Sequence, residues 1–168
     1  MTDPKILRHA YGAFATGVTV VTVGEPNPHG MTANSFTTVS LDPPLVLVCV
    51  GRDAIMHHEL GSARRFGVSV LAGAQEDVAR HFADRSRPLG AAQFEYVGWR
   101  PGRTTGVPLL SGALATFECE VWRCYDGGDH TIFVGVVLSL HRQDAESTLL
   151  FAHGRFGQLS TRPTEVTT

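Results

Sequence analysis

The amino-acid sequence predicts a mainly β protein, a mostly antiparallel barrel with a few peripheral helices. Three observations carry that prediction. Short β-branched and apolar runs recur along the whole chain. Strong turn signals separate them. Helical spacing is confined to three brief stretches.

The elements follow in order. Residues 3–14 place Ile6, Leu7, Ala10 and Phe14 near helical spacing and predict a first helix. Residues 18–23 are rich in β-branched side chains and run into Gly24-Glu25-Pro26-Asn27-Pro28, so a strand ends in a turn. Residues 31–40 mix Thr, Phe and Val and read as extended chain with a turn. Pro43-Pro44 breaks the chain before residues 45–50, a continuous apolar strand. Asp53 is expected to N-cap a short helix through His57, His58 and Leu60. Residues 66–71 form another strand. Residues 74–82 set Val78 and Phe82 four apart, as a helix does. Residues 113–125 and 130–141 are two long strand patterns. They flank Asp126-Gly127-Gly128-Asp129, a hairpin turn because glycine tolerates the φ > 0 such turns need. Residues 148–151 make a last short strand, and residues 161–168 read as a flexible tail. No repeat or internal linker divides the chain, so residues 1–168 are expected to form one domain.

Composition narrows the function. The chain has 168 residues and a formal net charge of -2, with its 14 basic residues scattered. That is not the electrostatic footprint of a nucleic-acid binder. Cys49, Cys119 and Cys124 are odd in number and form no CxxC pair, which argues against a disulfide framework. Cys49 lies in an apolar run and is expected to be a buried structural thiol. The N-terminus is polar and leads into no signal core. No apolar run approaches the roughly 20 residues that span a bilayer. A soluble cytoplasmic protein with no membrane contact is the expectation. The chain also lacks GxGxxG after its first strand and lacks GxxxxGK[ST], against a Rossmann unit or a P-loop.

Residues 30–40, GMTANSFTTVS, are crowded with small and hydroxylated side chains. Gly30 and Ala33 would let a ligand approach the backbone closely. Thr32, Asn34, Ser35, Thr37, Thr38 and Ser40 supply donors and acceptors suited to a flat heteroaromatic ring and a phosphate. On composition alone an ordinary Thr/Ser-rich strand with a solvent-facing polar side is the better reading of this stretch. Ser35 has no Gly-x-Ser-x-Gly frame, so no hydrolase elbow is expected. His57-His58 invites a metal, but neighbours on a helix point apart, so a polar helix surface and no metal site are expected. Trp99 and Trp122 read as core or interface anchors.

The string from residue 30 to residue 50, GMTANSFTTVSLDPPLVLVCV, resembles the flavin-contacting core of the flavin reductase-like, FMN-binding split-barrel family. Residues 14–22 resemble that family's opening motif, GDHTIFVG at residues 128–135 its second signature, and Leu149-Leu150-Phe151 with Gly154-Arg155-Phe156 its closing motif. The match runs from Tyr11 to Phe156 with the motifs in the family's order.

The resemblance implies an antiparallel split β-barrel of Greek-key type. It implies an NAD(P)H-dependent flavin reductase that passes hydride from nicotinamide to FAD or FMN and supplies reduced flavin to a partner monooxygenase. A non-enzymatic flavin-binding or electron-carrier protein is the alternative on the same fold. NADH is expected over NADPH, because no compact Arg/Lys cluster marks a 2′-phosphate pocket. A homodimer is also implied. By resemblance, Thr32, Ala33, Asn34 and Ser35 line the flavin ring, and Ser40 lies near its phosphate. Cys49, Val50 and Gly51 skirt the flavin. Arg80, His81, Phe82 and Ala83 contact its ribityl-phosphate side, with Arg85 and Ser86 able to extend that contact. His130 stands by the nicotinamide as the one catalytic candidate, though a lone histidine beside a turn is otherwise a surface or capping group. Arg155 and Phe156 border the nucleotide site, where Arg155 could equally be a surface residue.

Overall fold

In the computed structural model, residues 3–144 and 147–160 are described. The predicted tail at residues 161–168 lies outside them. The chain opens with α1 (Pro4–Tyr11), N-capped by Asp3, whose carboxylate accepts from Lys5 N at 2.8 Å. Phe14 falls beyond the helix end. Five strands follow: β1 (Thr16–Gly17), β2 (Thr19–Val23), β3 (His29–Ala33), β4 (Thr37–Leu41) and β5 (Pro44–Gly51). Then come α2 (Ile55–Ala63), β6 (Arg65–Val70), a short 3-10 turn (Gly73–Gln75) and α3 (Glu76–Ala83). A second 3-10 turn (Gly90–Phe94) precedes β7 (Trp99–Pro101) and β8 (Pro108–Leu110). The chain ends in two hairpins, β9 (Ala115–Gly127) with β10 (His130–Arg142), and β11 (Ser147–Ala152) with β12 (Arg155–Ser160).

Seven strands form one antiparallel sheet in the order β3-β2-β6-β9-β10-β5-β4. Its two edge strands, β3 and β4, are consecutive in the chain and joined by residues 34–36 alone. The sheet must therefore curl until its edges meet, and it closes at that link without a ladder. This is where the barrel is split. Bulges between Val134 and Gly135 and between Val137 and Ser139 bend the long β10 to follow the curve. Smaller sheets, β1-β11-β12 and β7-β8, flank it.

The β-branched run of β2 explains its central place. All five of its residues are buried, which only a strand covered on both faces allows. Val21 and Val23 face the barrel interior with Val46, Val48, Val50, Met56, Leu60 and Phe66. Val18 and Val20 face a second core with Leu71, Ala79, Phe82, Phe94 and Leu149. The cavity described below opens where α3 of the second core meets β3.

Several expectations are corrected. Asp53 is not the N-cap of α2; Ala54 holds that position with no side-chain cap, and Asp53 turns towards Arg85, 3.8 Å away. The β7–β8 hairpin and β12 lacked a strand signal because their residues are short, exposed or interrupted by proline. Trp99 and Trp122 remain 44% and 45% exposed, so neither is a core residue of this chain. Cys49 is only partly buried, whereas Cys119 is fully buried. His57 is not on the outer surface of α2. Its Nε2 meets Thr131 Oγ1 at 2.8 Å and its ring stands edge-on to Phe133, while His58 is exposed.

Candidate functional site

The polar segment at residues 30–40 divides by role. Gly30 is required by packing, and this corrects the idea that it admits a ligand. A Cβ there would lie 2.6 Å from the fully buried ring of Phe82. Thr32 spends its hydroxyl on Ala79 O of α3 at 2.7 Å, tying the helix to β3. Ala33 is buried and accepts from Thr19 Oγ1 at 2.8 Å. Asn34 is exposed at the barrel split. The Ser35 hydroxyl donates to Cys49 O at 2.9 Å and accepts from Cys49 N at 3.0 Å, so it clips the split to β5. What the link leaves for a ligand is mainly backbone. Ser40 sits on β4 opposite Leu45, half-buried, and does not line the cavity below.

A cavity of about 410 Å³ lies between β3, the start of α2 and the chain leaving α3. That volume falls within the range of about 300–1,000 Å³ typical of ligand sites. Thr32, Phe82 and Ala83 line it, joined by His29, Asp53, Arg85 and Arg87. Arg85 is almost fully solvated, but Arg87 is half-buried and makes no ion pair among the described residues. Its guanidinium donates instead to Gly30 O and to Asp84 O. Burial lowers the Arg87 pKa and Asp84 opposes that; the group stays cationic. Beside it, His29 is only 5% exposed. Burial first, and the Arg87 charge second, lower its pKa to about 4. The wall thus presents a neutral imidazole and a cation that makes no ion pair among the described residues, a setting for an anionic group such as a phosphate.

His130 opens β10 at the tip of the long hairpin. It is paired in register with Gly51 of β5 and Gly127 of β9. Gly128 takes φ 78° in the two-residue turn, which fits the glycine-rich signal of the sequence. Arg52 clamps this tip through Asp126 Oδ2 at 2.7 Å and Gly128 O at 2.9 Å. His130 Nδ1 meets Asp129 Oδ1 at 2.7 Å, and that hydrogen bond holds the Asp129 carboxyl below the usual range. The imidazole is therefore oriented, with Nε2 facing Gly51. A methyl group on Gly51 would lie 3.7 Å from His130 Nε2 and 3.1 Å from Asp53 Oδ1. Asp53 lines the cavity, whereas Gly51 and His130 lie outside its lining. Val50 is fully buried and Cys49 keeps a thiol whose pKa burial raises, so neither brings reactivity of its own.

The remaining candidates form a third group. Arg80 on α3 pairs with Glu76, Nη2 to Oε1 at 2.6 Å, and stacks on the Phe156 ring at 4.9 Å. Phe156 packs against Phe151, and Arg155 beside it is exposed. His81 points the other way and meets Gln93 O at 2.7 Å. The structure thus brings Thr32, Phe82 and Ala83 into one cavity, with Gly51 and His130 paired across β5 and β10 outside its lining. Arg80, Arg155 and Phe156 sit together on another side of α3. A larger cavity of about 610 Å³ lies elsewhere, by Arg100, Arg103 and His141, and includes none of these residues.

His29, Asp53 and Arg87 line the cavity, with Gln93 behind them on Gly30, and none was named for this role from sequence. Gln93 reaches Gly30 across 63 positions. No local pattern could have revealed that. Arg87, one residue past the Arg85-Ser86 pair, was the nearest to being found.

Residues 11–160 match the family model described as a flavin reductase like domain. An NADH-dependent FAD reductase of Streptomyces globisporus is 56% identical over 159 residues, covering 93% of this chain and 87% of that protein. The crystal structure of BorF, the flavin reductase component of a bacterial two-component tryptophan halogenase, superposes with a TM-score of 0.92 at 55% identity. It covers 95% of this chain and 100% of that one. The NADH:FAD oxidoreductase SgcE6 of Streptomyces globisporus C-1027, solved with NAD and FAD fragments, gives 0.89 at 52% identity, over 96% of this chain and 97% of that one.

Proposed function

The chain belongs to the flavin reductase like domain family, and we propose on that premise that it is an NADH-dependent flavin reductase. It passes hydride from the nicotinamide to FAD or FMN and hands reduced flavin to a partner monooxygenase component. FAD is favoured by the activity of the 56% identical relative. The observation that carries the reading is a cavity between β3, α2 and α3 walled by Arg87, a half-buried cation that makes no ion pair among the described residues.

Flavin and nicotinamide together supply the hydride chemistry, and the protein supplies binding, orientation and electrostatics. The backbone of Thr32, Ala33, Asn34 and Ser35 holds the flavin ring edge, with Ser35 and Cys49 fixing the shape of that wall. Val50 and Gly51 end β5 beside it, and the missing side chain at Gly51 leaves room for a ring. Arg87 and Arg85 take the phosphate side with Phe82 and Ala83. Ser40, Arg80, His81, Arg155 and Phe156 are assigned more distant nucleotide contacts. His130 positions the nicotinamide by hydrogen bond or ring contact. Its bond to Asp129 fixes which nitrogen faces the site. A solvent proton suffices, so no general acid is assigned.

The same reading makes residues 1–168 a single domain and the working unit a homodimer. The exposed Trp122, Tyr125, Leu138 and Leu140 on β9 and β10 support a covered face there. No helix among the described residues is long and apolar enough to cross a membrane. An enzyme that draws on NADH belongs where that pool is kept, in the cytoplasm.

The test is a matrix of FAD, FMN and riboflavin against NADH and NADPH with purified protein. NADH oxidation that depends on added flavin is expected, fastest with FAD. Absence of nucleotide oxidation with every flavin would refute the assignment.

A further inference from the structure

The chain between α3 and β7 carries Arg85, Arg87 and Leu89 into the cavity wall, yet no ladder holds it to the sheet. Phe94 anchors it in the second core, and the Gln93 side-chain amide fastens it to the edge of the sheet. β3 is an edge strand, so the outward N–H and C=O of Gly30 have no strand to pair with. Gln93 Oε1 accepts the Gly30 N–H at 2.9 Å, and the Arg87 guanidinium donates to the Gly30 carbonyl. Gln93 Nε2 donates to Pro28 O at 3.1 Å and to Gly90 O at 2.9 Å, fastening its own 3-10 turn to the start of β3. The same Oε1 lies 3.4 Å from Arg87 Nε. Gln93 is fully buried. Together Gln93 and Arg87 stand in for the missing strand, and the pairing fixes where the guanidinium sits in the wall.

We propose that Gln93 is a positioning residue for the phosphate of the flavin nucleotide, acting through Arg87. It rests on reading this cavity as the flavin site. A glutamine suits the task because one amide offers an acceptor to Gly30 and Arg87 and donors to two carbonyls. Arg87, bound only to neutral acceptors, keeps its charge for an anionic ligand. Gln93 therefore favours FMN and FAD over riboflavin.

The experiment titrates FAD, FMN and riboflavin into the parent protein, Gln93→Met, Arg87→Met and the double variant, following flavin fluorescence. Each single change is expected to weaken FMN and FAD by about tenfold or more, as loss of a charge-assisted contact does. Riboflavin is expected to stay within about twofold. The double variant is expected to be no worse than the weaker single one, because coupled residues are not additive. Unchanged FMN affinity in Gln93→Met overturns the proposal, as does an equal loss for riboflavin or a fully additive double variant. If Gln93→Met does not fold, Arg87→Met alone decides through its FMN-to-riboflavin ratio; an unchanged ratio overturns the proposal and a lowered one supports it. A parent that binds no flavin refutes the assignment of function instead.

Discussion

At the scale of single residues, polar side chains in this site act mostly as structure. Thr32, Ser35 and Gln93 each spend their hydrogen bonds on backbone, and His29 is buried between Arg87 and the cavity. That burial has a pH consequence. The His29 pKa is about 4 in the folded chain against an ordinary 6.5. Between those values the unfolded chain takes up a proton that the folded chain refuses. Stability therefore falls as pH drops from 6.5 towards 4, by up to about 3 kcal/mol from this group. Above the upper value the group contributes no slope. Urea midpoints measured across that window for the parent and for His29→Asn test this. A flatter acid dependence in the variant is expected, and identical slopes would remove His29 from the account. Single-residue reading of the sequence found His130 through its motif but passed over His29. A histidine between proline and glycine carries no local mark of burial.

At the scale of elements, the site exists because α3 is laid against the free edge of β3. Thr32 bonds Ala79, and Phe82 fills the space that Gly30 leaves open. Gly30→Ala is expected to force the Phe82 ring aside, with an overpacking cost of about 1–3 kcal/mol. Because Phe82 lines the cavity, flavin affinity is expected to fall with it. A denaturation midpoint and a flavin titration on the same variant check both, and an unshifted midpoint would contradict the packing argument. Elements with strong local patterns were legible. β2 announced itself by its β-branched run, and the β9–β10 hairpin by Gly127-Gly128 between two long strands. Elements set by tertiary contact were not. Asp53 looks like a cap but is drawn off towards Arg85, and β12 gains its strand form by pairing with β11. The site was half legible for the same reason. The 30–35 segment and the His130 turn are each continuous in sequence. The wall that Arg87 completes, with Gln93 behind it, comes from a stretch without periodicity, held by contacts more than fifty residues apart.

At the scale of the molecule, one curled sheet sets the β3–β4 link against β5 and the start of β10 opposite the end of β5. The split between β3 and β4 supplies a backbone wall, and the β10 start, opposite Gly51, supplies an oriented histidine. Among the described residues, no group of three or more His, Cys, Asp or Glu side chains is placed to hold a metal ion. Cys49 and Cys119 are held as thiols, the latter with a pKa pushed up to about 12 by burial. On the proposed function, activity depends on how well nicotinamide is brought to the site, and His130 is the residue assigned that task. The direct measurement is anaerobic rapid mixing of FAD-loaded protein with increasing NADH, following loss of flavin absorbance, for the parent and for His130→Ala. The account predicts bleaching by the parent. For the variant it predicts half-saturation at an NADH concentration higher by about tenfold or more, with FAD affinity unchanged within about twofold. The same NADH dependence in both proteins would contradict it.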